Sequence, residues 1–376
     1  MITFVLNAGA CAFFATRLDA GFFFGAIDRV AIFRFGVRGG DFFAPTRGTA
    51  FAERRLPSAS FLETLSALGF LATGSPLSFM SQSPGATISR FAPTPNGRLH
   101  LGHAYSALRN AQFARGSGGE LLLRIEDVDP TRCRREFEIA ILEDMAWLGV
   151  AFAGGPRRQS EHLEDYAAAL SRLRRRELVY PCFCTRGEIL RTRGARDPDG
   201  APLHRGGCIA VSASETSERL AAGEPATLRL DMARARALAP KRLFWREFGE
   251  GDAELQVEAA PEAWGDIVLR GKDRPATYHL AVVVDDAFQG VTDVIRGRDL
   301  FVSTSVHRLL QELLGFDAPR YRHHRLVLDA TGAKMSKSAS SRPLSSLREA
   351  GLTAREVRGA LGFEGRGAQR LQVRLS

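Results

Sequence analysis

Arg90-Phe91-Ala92-Pro93-Thr94-Pro95-Asn96-Gly97-Arg98-Leu99-His100-Leu101-Gly102-His103 reads as the end of a strand, a turn and the start of a helix. Residues 88–91 supply the strand and 93–98 the turn. Small and apolar residues keep helical register over 103–115. A loop that opens into a helix presents free N–H groups and the positive end of a dipole, which suits phosphate. Gly102 lets backbone come close to a nucleotide. His100 and His103, three apart, share one helix face. More than 200 residues later, Lys334-Met335-Ser336-Lys337-Ser338 follows a hairpin turn at 329–332. The chain has only four lysines, Lys241, Lys272, Lys334 and Lys337, among 51 basic residues. Two in one pentapeptide mark a place where an ammonium is specifically wanted. A mobile loop would let Lys337 close onto phosphates as a leaving group departs. Alone, the first string reads more readily as a helix-capping pair and the second as an ordinary solvated loop. The two in this order around an α/β sheet point to nucleotide chemistry.

Strand–helix alternation continues around the first string. Residues 121–125 form a continuous apolar strand of the kind a parallel sheet buries. Residues 134–148 form an amphipathic helix with Phe137, Ile141, Met145 and Leu148 on one stripe, and 161–177 another. Residues 181–270 interrupt with cysteines, loops and short strands. A parallel-sheet signal returns at 278–284, 291–295 and 325–328, and two short helices are expected at 344–350 and 353–361. This alternation argues for a doubly wound α/β domain. Residues 1–84 differ: they hold 14 of the 25 phenylalanines, no lysine and repeated glycine-rich breaks. They read as an extension that is poorly ordered, or as a mis-called start ahead of Met80.

Length allows two or three domains with a full core. A net charge of +9 and a pI near 9.8 make a polyanionic partner plausible, though a solvated basic face explains charge equally well. Five cysteines in a chain this long do not make a secreted disulfide scaffold. No apolar run reaches the roughly 20 residues that span a bilayer, and the apolar start at 2–16 lacks the basic flank of a signal peptide. The expectation is a cytoplasmic protein without a membrane partner, and a monomer, since no heptad or apolar interface stands out.

The two strings resemble the signature motifs of class I aminoacyl-tRNA synthetases. Residues 90–97 are similar to the opening strand and loop of glutamyl-tRNA synthetases, and Leu123-Arg124-Ile125-Glu126-Asp127-Val128-Asp129-Pro130-Thr131-Arg132 to their next strand and turn. Tyr278-His279-Leu280-Ala281-Val282-Val283-Val284-Asp285-Asp286, continued through Gln289-Gly290-Val291-Thr292 to Ile295-Arg296-Gly297-Arg298-Asp299-Leu300, looks like the glutamate-specific subfamily. The resemblance implies ATP bound by His100, Gly102, His103, Lys334 and Lys337, with His100, His103 and Lys337 catalytic and Mg²⁺ as cofactor. It implies a glutamate pocket of Arg90 and Arg296 for carboxylate, Glu126 for the ammonium, and Thr94 and Tyr278 completing it. The chemistry agrees: a dianionic amino acid suits the planar guanidinium, and its ammonium an acid. Taken singly, each charged residue reads more often as a surface ion pair, and Tyr278 as a core aromatic.

Only 38 residues follow Ser338, where glutamyl-tRNA synthetases continue into helical anticodon-binding domains. The chain is therefore similar to the glutamyl-Q tRNA(Asp) synthetases, over residues 89–362. That family activates glutamate with ATP and attaches it to queuosine in the anticodon of tRNA(Asp). The implied architecture is an α/β, Rossmann-like class I catalytic domain in two halves, 85–180 and 271–342. An inserted zinc-containing, acceptor-binding-like subdomain occupies 181–270, and a short helical tail 343–376. A catalytic fragment charging tRNA(Glu) and a non-catalytic tRNA-binding relative are the alternatives. Intact His100, His103 and Lys337 argue against the latter, and a generic nucleotidyltransferase has no need of the Arg90, Glu126 and Arg296 set.

The family carries Cys-x-Cys, then Tyr-x₃-Cys, as a zinc site in the insertion. Here Cys182, Cys184 and Cys208 match, with His204 at the third position. Histidine is the better zinc ligand, and four protein ligands leave no open position, so one structural Zn²⁺ is implied. Cys11 and Cys133 lack partners in sequence and read as buried or free thiols. The arginine runs 172–176 and 186–205 suit phosphates or a helix C-terminus equally, and no single RNA-contact residue is assigned.

Overall fold

The computed structural model describes residues 85–191, 195–204, 206, 208, 211–249, 253–329, 332, 335, 342–364, 371 and 373–376. The extension before residue 85, Cys11, Met80, and Lys334 and Lys337 of the second string lie outside the described residues.

In chain order the first half holds β1 (Ile88–Phe91), α1 (Leu101–Ser117), β2 (Glu120–Ile125), α2 (Arg135–Leu148), β3 (Arg157–Arg158) and α3 (Leu163–Arg175). The middle segment holds β4 (Val179–Cys182), α4 (Arg186–Arg191), α5 (Ala213–Ala221), β5 (Thr227–Leu230), α6 (Met232–Leu238), β6 (Phe244–Phe248), β7 (Glu254–Glu258) and β8 (Val268–Arg270). Then come α7 (Tyr278–Phe288), β9 (Asp293–Gly297), α8 (Thr304–Leu314), β10 (Arg320–His324), β11 (Val327–Leu328), α9 (Leu344–Glu349), α10 (Ala354–Ala360) and β12 (Arg374–Leu375).

β1, β2 and β3 run parallel in that order, and β9, β10 and β6 form a second parallel set with β7 antiparallel at its edge. The sets meet where Thr292 N donates to the Ile88 carbonyl at 2.9 Å. Chain order thus runs outward from β1 to β3 on one side and from β9 to β10 on the other, with the earlier strands β6 and β7 beyond β10. That is a topological switch point, and ligands bind outside the carboxyl ends of strands there. Alternate residues of β2 serve opposite faces: Leu121, Leu123 and Ile125 pack with α1 and α2, while Leu122 packs toward α3, α7 and α8. Asn110 on α1 pins that helix to β9 by donating to the Ile295 carbonyl at 3.0 Å.

The expected strand at 278–284 is instead the helix α7. Seven consecutive residues of it, Leu280 to Asp286, are buried. An unbroken apolar run describes a fully enclosed helix as well as a central strand, and its eleven residues are long for a strand. The expected parallel strand at 325–328 is also corrected: β11 pairs antiparallel with β12. The parallel partner of β9 is β10, Arg-Tyr-Arg-His-His, whose polarity hid it. The remaining strands and helices stand within a few residues of expectation. The run at 172–176 resolves in part: Arg172 and Arg176 donate to the Leu314 and Leu313 carbonyls, capping the C-terminus of α8.

Candidate functional site

At the switch point a cavity of about 400 Å³ opens between the carboxyl ends of β1 and β9 and the N-terminus of α1. Arg90, His100, Gly102, His103, Glu126, Tyr278 and Arg296 all line it, with Met335 from the second string. The structure thus brings together residues more than 200 positions apart. Thr94, placed by resemblance in the same pocket, stands on the adjoining loop and is not among the lining residues.

His100 is the N-cap of α1. Its Nδ1 accepts from Gly102 N at 3.0 Å, and His103 Nδ1 accepts from His100 N at 3.2 Å. Both rings are therefore neutral with the proton on Nε2, the form that donates to a phosphate oxygen. Gly102 has a second reason to be glycine. A Cβ there would fall 2.9 Å from His100 Cε1.

Arg296, at the end of β9 and 5% exposed, is held by neutral acceptors on every N–H. Nε donates to His323 Nε2 at 3.1 Å. Nη1 meets the Tyr278 hydroxyl at 3.2 Å and His307 Nδ1 at 3.1 Å. Nη2 donates to Thr304 Oγ1 at 2.8 Å and the Leu300 carbonyl at 3.2 Å. Burial and the Arg296 charge hold His307 well below the ordinary histidine range, so it stays neutral. Glu247 on β6 accepts from His323 Nδ1 at 2.9 Å, which turns the His323 Nε2 lone pair toward Arg296. No carboxylate among the described residues lies within 4.0 Å of Arg296. The site therefore carries a buried, fixed positive charge without its counter-ion.

Arg90 is bound otherwise. Its Nε and Nη2 pair with Asp286 at 2.9 and 3.3 Å, and Arg124, fully buried on β2, meets the same carboxylate at 2.6 Å. Asp285 beside it accepts from Arg157, Gln159 and Tyr166. Burial works against ionising Asp286, but Arg90 and Arg124 hold its carboxyl below the usual range. This network ties β1, β2 and β3 to α7 behind the pocket. The reading from sequence missed Asp285, Asp286, Glu247, Thr304, His307 and His323. Two adjacent acids inside an apolar run were the available signal.

Glu126 is half-buried in the pocket wall. Burial pushes its carboxyl up to about 7, against the pull of Arg124 and Arg90. Between its unfolded value near 4.5 and 7, the folded chain holds the extra proton, so the Glu126 contribution to stability falls as pH rises through that window. An ammonium ligand requires the ionised form. As pH drops from 8 to 6 its binding should weaken about tenfold, and Glu126→Gln should flatten the profile. Isothermal titration with the amino acid across that range measures this directly.

The second cluster lies in the middle segment. Ligand atoms of Cys182, Cys184, His204 and Cys208 all fall within 4.8 Å of one another. Cys184 and Cys208 sulfurs are 3.0 Å apart, too far for a disulfide, and the thiols are free. The Tyr180 hydroxyl donates to Asp266 at 2.8 Å and lies 3.2 Å from His204 Nδ1. His204 Nε2 faces the sulfurs of Cys182 and Cys208 at 3.4 and 3.9 Å. Bonds from His204 and Arg229 lower the Cys182 thiol against its burial, which favours the thiolate a metal needs. This donor set fits Zn²⁺. Cys133 is a half-buried free thiol.

Residues 87–360 match the family model for the catalytic domain of class I tRNA synthetases specific for glutamate and glutamine (E and Q). A glutamyl-Q tRNA(Asp) synthetase of Rhodobacter capsulatus is 41% identical over 282 residues, 73% of this chain and all of that protein. The chain belongs to this family of class I synthetases. A glutamate–tRNA ligase of Nitrosococcus oceani is 37% identical over 274 residues, 70% of this chain and 56% of that one. Among solved structures, a glutamate tRNA ligase of Elizabethkingia meningosepticum, in complex with its amino acid, superposes with a TM-score of 0.60 at 27% identity. It covers 73% of this chain and 60% of that chain. The synthetase is accordingly a ligase, with ATP, Mg²⁺ and a tRNA as the family's reactants. No helix among the described residues is long and apolar enough to cross a membrane.

Proposed function

We propose that this synthetase activates L-glutamate with ATP and transfers it to queuosine in the anticodon of tRNA(Asp). The observation that carries the choice of amino acid is Arg296, a buried cation lining the cavity with neutral groups on all its donors. The glutamate side-chain carboxylate supplies the missing counter-charge, and Glu126 takes the α-ammonium. The α-carboxylate oxygen then attacks the α-phosphorus, and pyrophosphate leaves. Nε2–H groups of His100 and His103 donate to phosphate oxygens as charge builds, and the Lys334 and Lys337 ammonium groups supply further positive charge to the phosphates. Mg²⁺ brought in with ATP would supply charge neutralisation for the phosphates. In the second step a hydroxyl of the queuosine cyclopentenediol attacks the acyl carbon, and AMP leaves. Cys182, Cys184, His204 and Cys208 would hold one structural Zn²⁺ that fixes the insertion.

The test is glutamate charging of purified tRNA(Asp), with and without queuosine, and of tRNA(Glu). Label on queuosine-containing tRNA(Asp) alone is expected. Label on tRNA(Glu) would overturn the acceptor assignment in favour of protein-synthesis charging.

A further inference from the structure

We propose that a second cavity, beside the active site on the flank of α1, binds the nucleotide that adjoins the acceptor nucleotide in the RNA strand. This rests on the reading that the acceptor is a tRNA. The cavity holds about 290 Å³ and shares Ile295 and His324 as walls with the first. It lies farther along α1: Ser106 lines the first cavity and Arg109 the second, three residues or about 4.5 Å down the helix axis. The two cavities thus lie side by side against the same two residues, an arrangement that suits successive nucleotides of one strand.

Its chemistry suits a nucleotide. Arg109 and Arg322 line it, and no carboxylate does so among the described residues. The Arg322 guanidinium lies against two rings, 4.6 Å from the centroid of Phe248 and 5.0 Å from that of Phe113. A guanidinium held this way loses little freedom on meeting a phosphate, and the phenyl rings offer a base an apolar surface. His324 adds a polar contact. Its Nδ1–H donates to the Arg325 carbonyl at 2.8 Å, so Nε2 carries a lone pair. That atom is buried with no hydrogen-bond partner, in a residue only 7% exposed. A base amino group would satisfy it. The volume, just below the roughly 300–1,000 Å³ typical of ligand sites, suits a single nucleotide.

The experiment compares Arg109→Gln and Arg322→Gln with wild type in the full chain. Three readouts are taken: glutamate-dependent ATP–pyrophosphate exchange, KM for tRNA in transfer, and tRNA affinity against salt by fluorescence anisotropy. Exchange should keep its KM for ATP and glutamate, which also shows the variants fold. The KM for tRNA should rise at least about tenfold. The slope of log affinity against log salt should become shallower by about 0.7 per lost single-strand phosphate contact. Wild-type tRNA KM and slope in both variants would overturn the proposal. So would a raised KM for ATP with unchanged tRNA binding, which would give the cavity to a free nucleotide. If Arg322→Gln fails to fold, the half-exposed Arg109 decides alone. Absence of exchange in the wild type would refute the proposed function instead, and the anisotropy series would still judge the cavity.

Discussion

Arg296→Gln should lower kcat/KM for glutamate in ATP–pyrophosphate exchange by between about 30-fold and several thousandfold. That span corresponds to the 2–5 kcal/mol typical of removing one partner from a buried, hydrogen-bonded charge pair. The effect should fall on glutamate, with the KM for ATP little changed, because the α1 N-terminus is capped independently by His100 and His103. Arg296→Lys should rescue little. An ammonium restores charge but cannot reach His323, Tyr278, His307, Thr304 and the Leu300 carbonyl at once. Glu247→Gln tests the support behind it. A neutral amide no longer fixes the His323 tautomer, so KM for glutamate should rise while kcat changes less. A wild-type KM for glutamate in Arg296→Gln would remove the basis for glutamate as substrate.

How much of this was legible in the chain follows from what each residue does. His100 and His103 could be named because their type and spacing carry the chemistry, and Arg90, Glu126, Tyr278 and Arg296 because their stretches resemble the glutamate-specific synthetases; the fold lines one cavity with all six. Two classes of feature were hidden. One was direction: a run such as Leu280 to Val284 is apolar on all sides, and sequence period cannot separate an enclosed helix from a central strand. The other was support. Glu247, Thr304, His307 and His323 come from β6, α8 and β10, and only the sheet order makes them neighbours of Arg296. β10 was missed for the same reason. Its polar residues pair and stack within the structure, as Arg320 does with Asp293 at 2.7 Å, so polarity did not mark a loop.

Cys184→Ser should abolish metal binding, measured as one zinc per chain in the wild type and none in the variant. It should also lower Tm by about 10 °C, since opening a buried charged cluster costs roughly 3–5 kcal/mol and each kcal/mol moves Tm by about 2–4 °C. The size follows from what else could hold this segment. Neither α4 nor α5 contributes a buried residue, so no hydrophobic core anchors these helices. The cluster ties the end of β4 to the loop carrying His204 and Cys208, in the place a core would occupy. Its loss should therefore be local. Hydrogen exchange should quicken around α4 and α5 while α1, β1 and β2, packed in their own apolar cluster, keep their protection. Pyrophosphate exchange should survive for the same reason, because the pocket stands on those elements, whereas transfer to tRNA should fall. A wild-type chain that is metal-free and as stable as Cys184→Ser would refute the zinc assignment.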